Sequence, residues 1–196
     1  MKYIATLTAL LFVKTISFAQ SIKEKEFLAT LKAVVTALKN RDSATLVKYT
    51  DDKPGIYIIY RPGILDSYKR YPRLSFRDST YPIIPFYDDV KLTTLRYAAL
   101  PTYNCEEWSK TGTFVDTTKR DHLPSAVAKN LAKQIKGSVP AKTIQALYSL
   151  EMASRRVVIA SGNEADLIIY LSFINNKWVL TIIDKISGDC SLSQKR

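Results

Sequence analysis

Histidine is nearly missing: His122 is the only one in 196 residues, so a multi-histidine metal centre cannot be assembled. Two cysteines are too few for a cysteine-rich zinc site, and they form no Cys-x-x-Cys redox motif. There is no Gly-rich phosphate loop, no Gly-x-Ser-x-Gly elbow and no His-Glu-x-x-His. Neither metal nor cofactor is therefore expected. Low-complexity tracts and internal repeats are absent, which removes collagenous and coiled-coil architectures, and the cysteine count removes a disulfide-dense one. What is abundant is positive charge. With 29 Lys+Arg against 18 Asp+Glu, the net charge is +11 and the isoelectric point about 9.6. Anionic surfaces attract such a chain, whether nucleic acid, lipid headgroups, acidic glycans or cell-wall polymers.

Residues 1–19 have the pattern of a secretory signal peptide. Lys2 supplies the positive start, Ile4 to Val13 the apolar stretch, and Ser17, Phe18 and Ala19 a small-x-small cleavage site. Lys14 interrupts the run well short of the roughly 18 apolar residues a membrane span needs, and no later segment could span one. Residues 20–196 then form a single domain that keeps most of the basic charge, and the expected location is periplasmic or extracellular. In such an oxidising compartment Cys105 and Cys190 are most simply a disulfide; the alternative is two unrelated buried thiols.

Along the domain, Phe27, Leu28, Leu31, Val34, Val35 and Leu38 recur at helical spacing from Glu24 to about Asn40. Asp42 or Ser43 can cap a short second helix that Pro54-Gly55 breaks off. The run Ile56 to Tyr60 is apolar at successive positions and rich in β-formers, as a strand covered on both faces is. Residues 61–101 carry six Pro or Gly interruptions and read as an irregular aromatic and basic insertion, expected to pack through Leu65, Tyr68, Leu74, Phe76, Ile83 and Phe86. A third helix is expected from His122 to Lys136, stopped by Gly137. Ile144 to Glu151 fits a strand or a helix. Asn175-Asn176 is a two-residue hairpin turn, because Asn tolerates positive φ. Its register sets Phe173 against Trp178, Leu171 against Leu180, Ile169 against Ile182 and Leu167 against Asp184, on one apolar face. A further strand, Arg155 to Ala160, joins that face through Val157 and Ile159, with Arg156 pointing away. Segregated helices and strands give an α+β class with helices packed on one face of a curved antiparallel sheet.

This order of elements resembles the nuclear transport factor two-like, or cystatin-like, superfamily, in which a bent sheet wraps a long helix into a cone. The stretches Gly55-Ile-Tyr-Ile-Ile-Tyr-Arg-Pro-Gly63 and Lys177-Trp-Val-Leu-Thr-Ile-Ile-Asp184, with Asp189-Cys190-Ser191, look like those of an uncharacterised exported bacterial family with that predicted fold. The resemblance implies a cone-like fold. It implies no activity, because the superfamily holds both enzymes and pure binding domains, and no catalytic residues carry over.

Three places in the sequence could bear chemistry. Asp184, set beside Leu167 on the apolar face, would act in proton transfer if enclosed in a cone; at the hairpin's open end it would instead be wet or paired with Lys185 or Arg156. His122 could act as an acid or base, or simply sit exposed at a helix start. Tyr57, Tyr60, Tyr68 and Tyr71, interleaved with Arg61, Arg70 and Arg73, suit sugar rings, carboxylates or phosphates, unless the tyrosines only pack and the arginines only face water. Lys119, Arg120, Lys129, Lys133 and Lys136 form a basic stripe of the kind that is usually a solvated helix face. The leading expectation is a non-enzymatic exported domain binding an anionic glycan, peptide or envelope partner, with nucleic acid disfavoured by export. The alternative is a small-molecule isomerase- or hydrolase-like enzyme using Asp184.

Overall fold

The computed structural model describes residues 22–77, 87–119, 122–162 and 166–191. Residues 1–19, read as a signal peptide, lie outside the described residues, as do Tyr81, Ile83, Phe86, Arg120 and Asn163.

The first helix, α1, runs over residues 22–39. Phe27, Leu31, Val34, Val35 and Leu38 are buried as their spacing predicts, whereas Leu28 faces outward at 42% exposure. The helix stops by a Schellman-type closure: Asp42 N–H donates to Ala37 O at 2.8 Å and Arg41 N–H to Leu38 O at 3.3 Å. Arg41, not Asn40, takes the left-handed position, with φ 51°. Asp42 then caps α2 (Ser43–Lys48), its carboxylate accepting from Thr45 N–H at 2.9 Å, and hydrogen bonding from the Thr45 side chain and then its N–H lowers the Asp42 pKa.

Seven strands form one open sheet: β1 (Ile56–Tyr60), β2 (Ser67–Tyr71), β3 (Leu95–Tyr97), β4 (Gly112–Val115), β5 (Ser154–Ala160), β6 (Leu167–Ile174) and β7 (Lys177–Asp184), in the order β2-β1-β7-β6-β5-β4-β3. The class is α+β, but the sheet is mixed, not antiparallel, because β1 runs parallel to β7 and β3 parallel to β4. The stretch read as an irregular insertion supplies both edge strands, β2 and β3, through five- and three-residue pairings too short to show as periodicity. Leu74 is buried and Phe76 half-buried as expected, whereas Leu65 is 38% exposed.

The helices do not share one face. Along β1, Ile56 and Ile58 point to the core under α1, while Tyr57 and Ile59 point to a second core under α3 (Leu123–Gln134) and α4 (Ala141–Met152). Ile144 to Glu151 is thus helix. A continuous apolar run has this result, since strand side chains alternate and both sides must be covered. Val157 and Ile159 join the α1 core through their pairing with Ile169 and Leu167, and Arg156 points away, as the register predicts.

Asn175 and Asn176, with φ 50° and 60°, make the expected hairpin turn, and Phe173↔Trp178 and Leu171↔Leu180 pair as read from the sequence. Beyond them the pairing shifts. Thr181 is the extra residue of a β-bulge, so Tyr170 meets Ile182, Ile169 meets Ile183 and Ile168 meets Asp184. Ile183 thereby replaces Ile182 in the α1 core, and Asp184 moves to the opposite face. The bulge is held by a buried hydroxyl chain in which Ser154 Oγ lies 2.6 Å from Ser172 Oγ, itself 2.6 Å from Thr181 Oγ1, while Ser154 donates to Leu150 O in α4. Buried hydroxyls require such partners.

Candidate functional site

Asp184 is a structural group. Its side chain is fully buried; Oδ1 accepts from Ile186 N–H (3.0 Å) and Ser187 N–H (3.1 Å), and Oδ2 from Ser187 Oγ (2.6 Å) and Arg156 (2.7 Å). Both oxygens are committed to turning the chain after β7. The α1 core, on the opposite face of the sheet, is filled by Trp178 and Leu180, with Phe173 packed against them.

His122 starts α3, half-exposed and stacked on Tyr148 with ring centroids 5.4 Å apart. Its Nδ1 lies 3.3 Å from the fully buried Glu151 carboxylate, which accepts from Ser125 N–H at 2.5 Å and Ser125 Oγ at 2.8 Å. Glu151 therefore caps α3 from another helix, satisfying an amide the helix leaves unpaired. Burial pushes its pKa up, against the opposing bonds from Ser125 and His122. The serine and histidine both bond to this carboxylate, an arrangement that caps a helix without setting the imidazole to activate the hydroxyl.

The tyrosine and arginine strip comes together on β1 and β2, but its guanidiniums are occupied. Arg61 bonds Asp66 at 2.7 Å, Asp189 O at 3.1 Å and the Asp189 carboxylate at 3.4 Å. Arg70 takes the carbonyls of Asp52, Lys53 and Pro54, and Arg73 grips the Asp52 carboxylate at both oxygens. Those bonds lower the Asp52 pKa and raise that of Arg73. Tyr57 is buried against Tyr68 in the second core, where burial raises both phenol pKa values. Tyr60 and Tyr71 are half-buried, and Lys69 sits over the Tyr71 ring. The strip is a hairpin brace.

The concavity with a chemically distinctive lining lies elsewhere, at the end of the sheet where β5 turns into β6 and β7 finishes. Residues 102–109 double back: Ser109 N–H donates to Thr102 O, Thr102 N–H to Ser109 Oγ, and Tyr103 bridges Trp108. Asn104 makes the turn, its side-chain oxygen accepting from Glu106 N–H (2.9 Å) and Glu107 N–H (2.8 Å), as Asx turns do. This sets the Tyr103 and Trp108 rings 5.2 Å apart at 34°. Trp108 Nε1 donates to Asp166 Oδ2 at 2.5 Å, and Asp166 Oδ1 accepts from Ser161 N–H at 3.3 Å. Gly188 closes the back, where a Cβ would lie 3.8 Å from both Asp166 and Trp108. The Cys105–Cys190 disulfide ties the loop to the tail of β7.

The result is a cleft of about 650 Å³, with Trp108 as a nearly buried floor, Tyr103 as a half-buried wall, and Glu106, Glu107 and Asp166 as its ionisable groups. Among the described residues no Lys, Arg or His lines it. Of the lining residues the sequence nominated only Cys105, through its pairing with Cys190. The signal available was Tyr103-Asn104-Cys105-Glu106-Glu107-Trp108, an Asx-turn residue between two aromatics. Comparison of the chain with family models, with curated proteins and with solved structures gives no match.

Proposed function

We propose that this chain is an exported, non-catalytic binding domain whose ligand seats in the cleft beside the disulfide. The observation that carries the reading is the cleft's composition: two aromatic rings and three carboxylates, with no histidine, lysine or free thiol among the described residues that line it. Asp166 has both oxygens bonded, and the sulfur of Cys105 is oxidised. His122 packs against α4 just before β5 begins, whereas the cleft lies beyond the end of that strand. Export is supported by the disulfide, by the signal-peptide pattern of residues 1–19, and by the fact that no helix among the described residues is long and apolar enough to cross a membrane. The burial of α1 against five strands supports a sheet bent around it, as in the nuclear transport factor two-like superfamily. The tyrosine and arginine strip is set aside as the ligand site because its arginines are internally bonded.

The test is protein-observed NMR with cationic, neutral and acidic peptides and oligosaccharides, following the Trp108 indole N–H, with the compounds' own spectra recorded alongside. Reversible binding that shifts this signal and leaves the compound intact is expected. Time-dependent conversion of any compound into a product, lost in Trp108→Phe, would overturn the reading.

A further inference from the structure

Resting on the cleft reading, we infer the ligand's chemistry: it presents a lysine- or arginine-type cation, as a basic peptide segment does. The molecule's handling of its other aromatic rings points this way. Lys23 lies 4.7 Å from the Phe173 centroid, Arg41 5.2 Å from Phe76, and Arg96 5.5 Å from Phe114, while Arg155 stacks on both Phe27 and Trp178 and Arg156 lies over Tyr170. Several rings of this chain of +11 thus carry its own cations. Tyr103 and Trp108 have other surroundings. Among the described residues no cation lies over them, and their surroundings are carboxylates: Asp166 on the indole N–H, Glu106 and Glu107 exposed at the rim.

An aromatic face with carboxylates at its edge attracts an ammonium or guanidinium twice, through the ring quadrupole and through direct charge. An acidic glycan would meet only repulsion here, so the ligand's sign is opposite to the one the net charge suggests. The rigidity is also right for binding: Asn104 holds the amides of Glu106 and Glu107, and the disulfide fixes the loop, so little order is lost when a ligand docks.

The experiment uses the full domain and three probes: trilysine, the trimer of N-acetylglucosamine and trigalacturonate. Trilysine is expected to shift the Trp108 indole signal, and its affinity to fall about tenfold in E106Q/E107Q and again when salt is raised. The two replaced side chains are exposed, so an unchanged melting temperature checks the fold. If the neutral trimer moves Trp108 and trilysine does not, the cationic ligand is refuted and the binding cleft stands. Trilysine binding that ignores both Trp108 and the double variant also refutes it, since the contact is then elsewhere. If no probe moves Trp108, the cation inference fails and the cleft reading loses its support with it.

Discussion

Two buried carboxylates with different partners show how much a side chain's role depends on which face it reaches. Asp184 meets a guanidinium and three further donors; removing it takes a buried carboxylate from all four, so Asp184→Ala should cost about 3–5 kcal/mol in urea unfolding, and a cost below about 1 kcal/mol would show the network to be dispensable. Glu151 meets only a serine and a half-exposed imidazole. Because burial raises its carboxyl above the ordinary 4.5, the folded protein holds that proton more tightly than the unfolded chain does. That stabilisation is complete below about pH 4.5 and is lost as pH rises through the folded-state value. Glu151→Gln cannot titrate. The melting-temperature difference, wild type minus variant, should therefore fall between about pH 4 and about pH 7, measured also in a His122→Gln background to separate the imidazole. A flat or rising difference refutes the assignment. The pairing of Asp184 with Arg156 was one of the alternatives the sequence offered, but its change of face through a single extra residue was not legible, and neither was the role of Glu151, which acts on a helix begun 28 positions earlier, at Leu123.

At the scale of elements, strong periodicity and turn chemistry were readable, and short irregular pairings were not. The stripe from Phe27 to Leu38, the Asp42 cap, the double-faced run of β1 and the Asn175-Asn176 turn each follow from local residue chemistry, and each is present. The bulge at Thr181 has no local signature, since Leu-Thr-Ile-Ile alternates acceptably in either register; its cause is the hydroxyl chain to Ser172 and Ser154, contributed by other strands. The turn offers a direct test: Asn176→Gly should stabilise by about 0.5–1 kcal/mol, because φ 60° favours glycine, and loss of stability in thermal melts would contradict the type of turn. Thr181→Val keeps the shape but removes one of the two hydroxyl partners of Ser172, leaving its bond to Ser154, and should cost about 0.5–1.5 kcal/mol in urea unfolding.

For the whole molecule, the charge total was readable but its arrangement was not. Lys129 and Lys133 lie on α3, which ends at Gln134, short of the expected Lys136, and covers one face of the sheet, while Glu106, Glu107 and Asp166 gather at one end of it, from stretches that no motif links. The cysteine pair was the one visible thread to that end. Joining residues 85 apart, the disulfide is expected to contribute about 4–5 kcal/mol in the chain-entropy model. C105S/C190S should lower the melting temperature and weaken cleft ligands together; a variant as stable as the parent would show the bond to be incidental.

The parallel pairing of β1 with β7 also has a kinetic meaning. Tyr57 finds its neighbour in Ile182, so the centre of the sheet cannot close until nearly the entire chain is present, and the bond from Cys105 waits for Cys190 in the same way. Domains dominated by such distant contacts fold slowly, because loop closure must precede the contacts that reward it. A sheet so ordered can close at its centre only after β7 has been made.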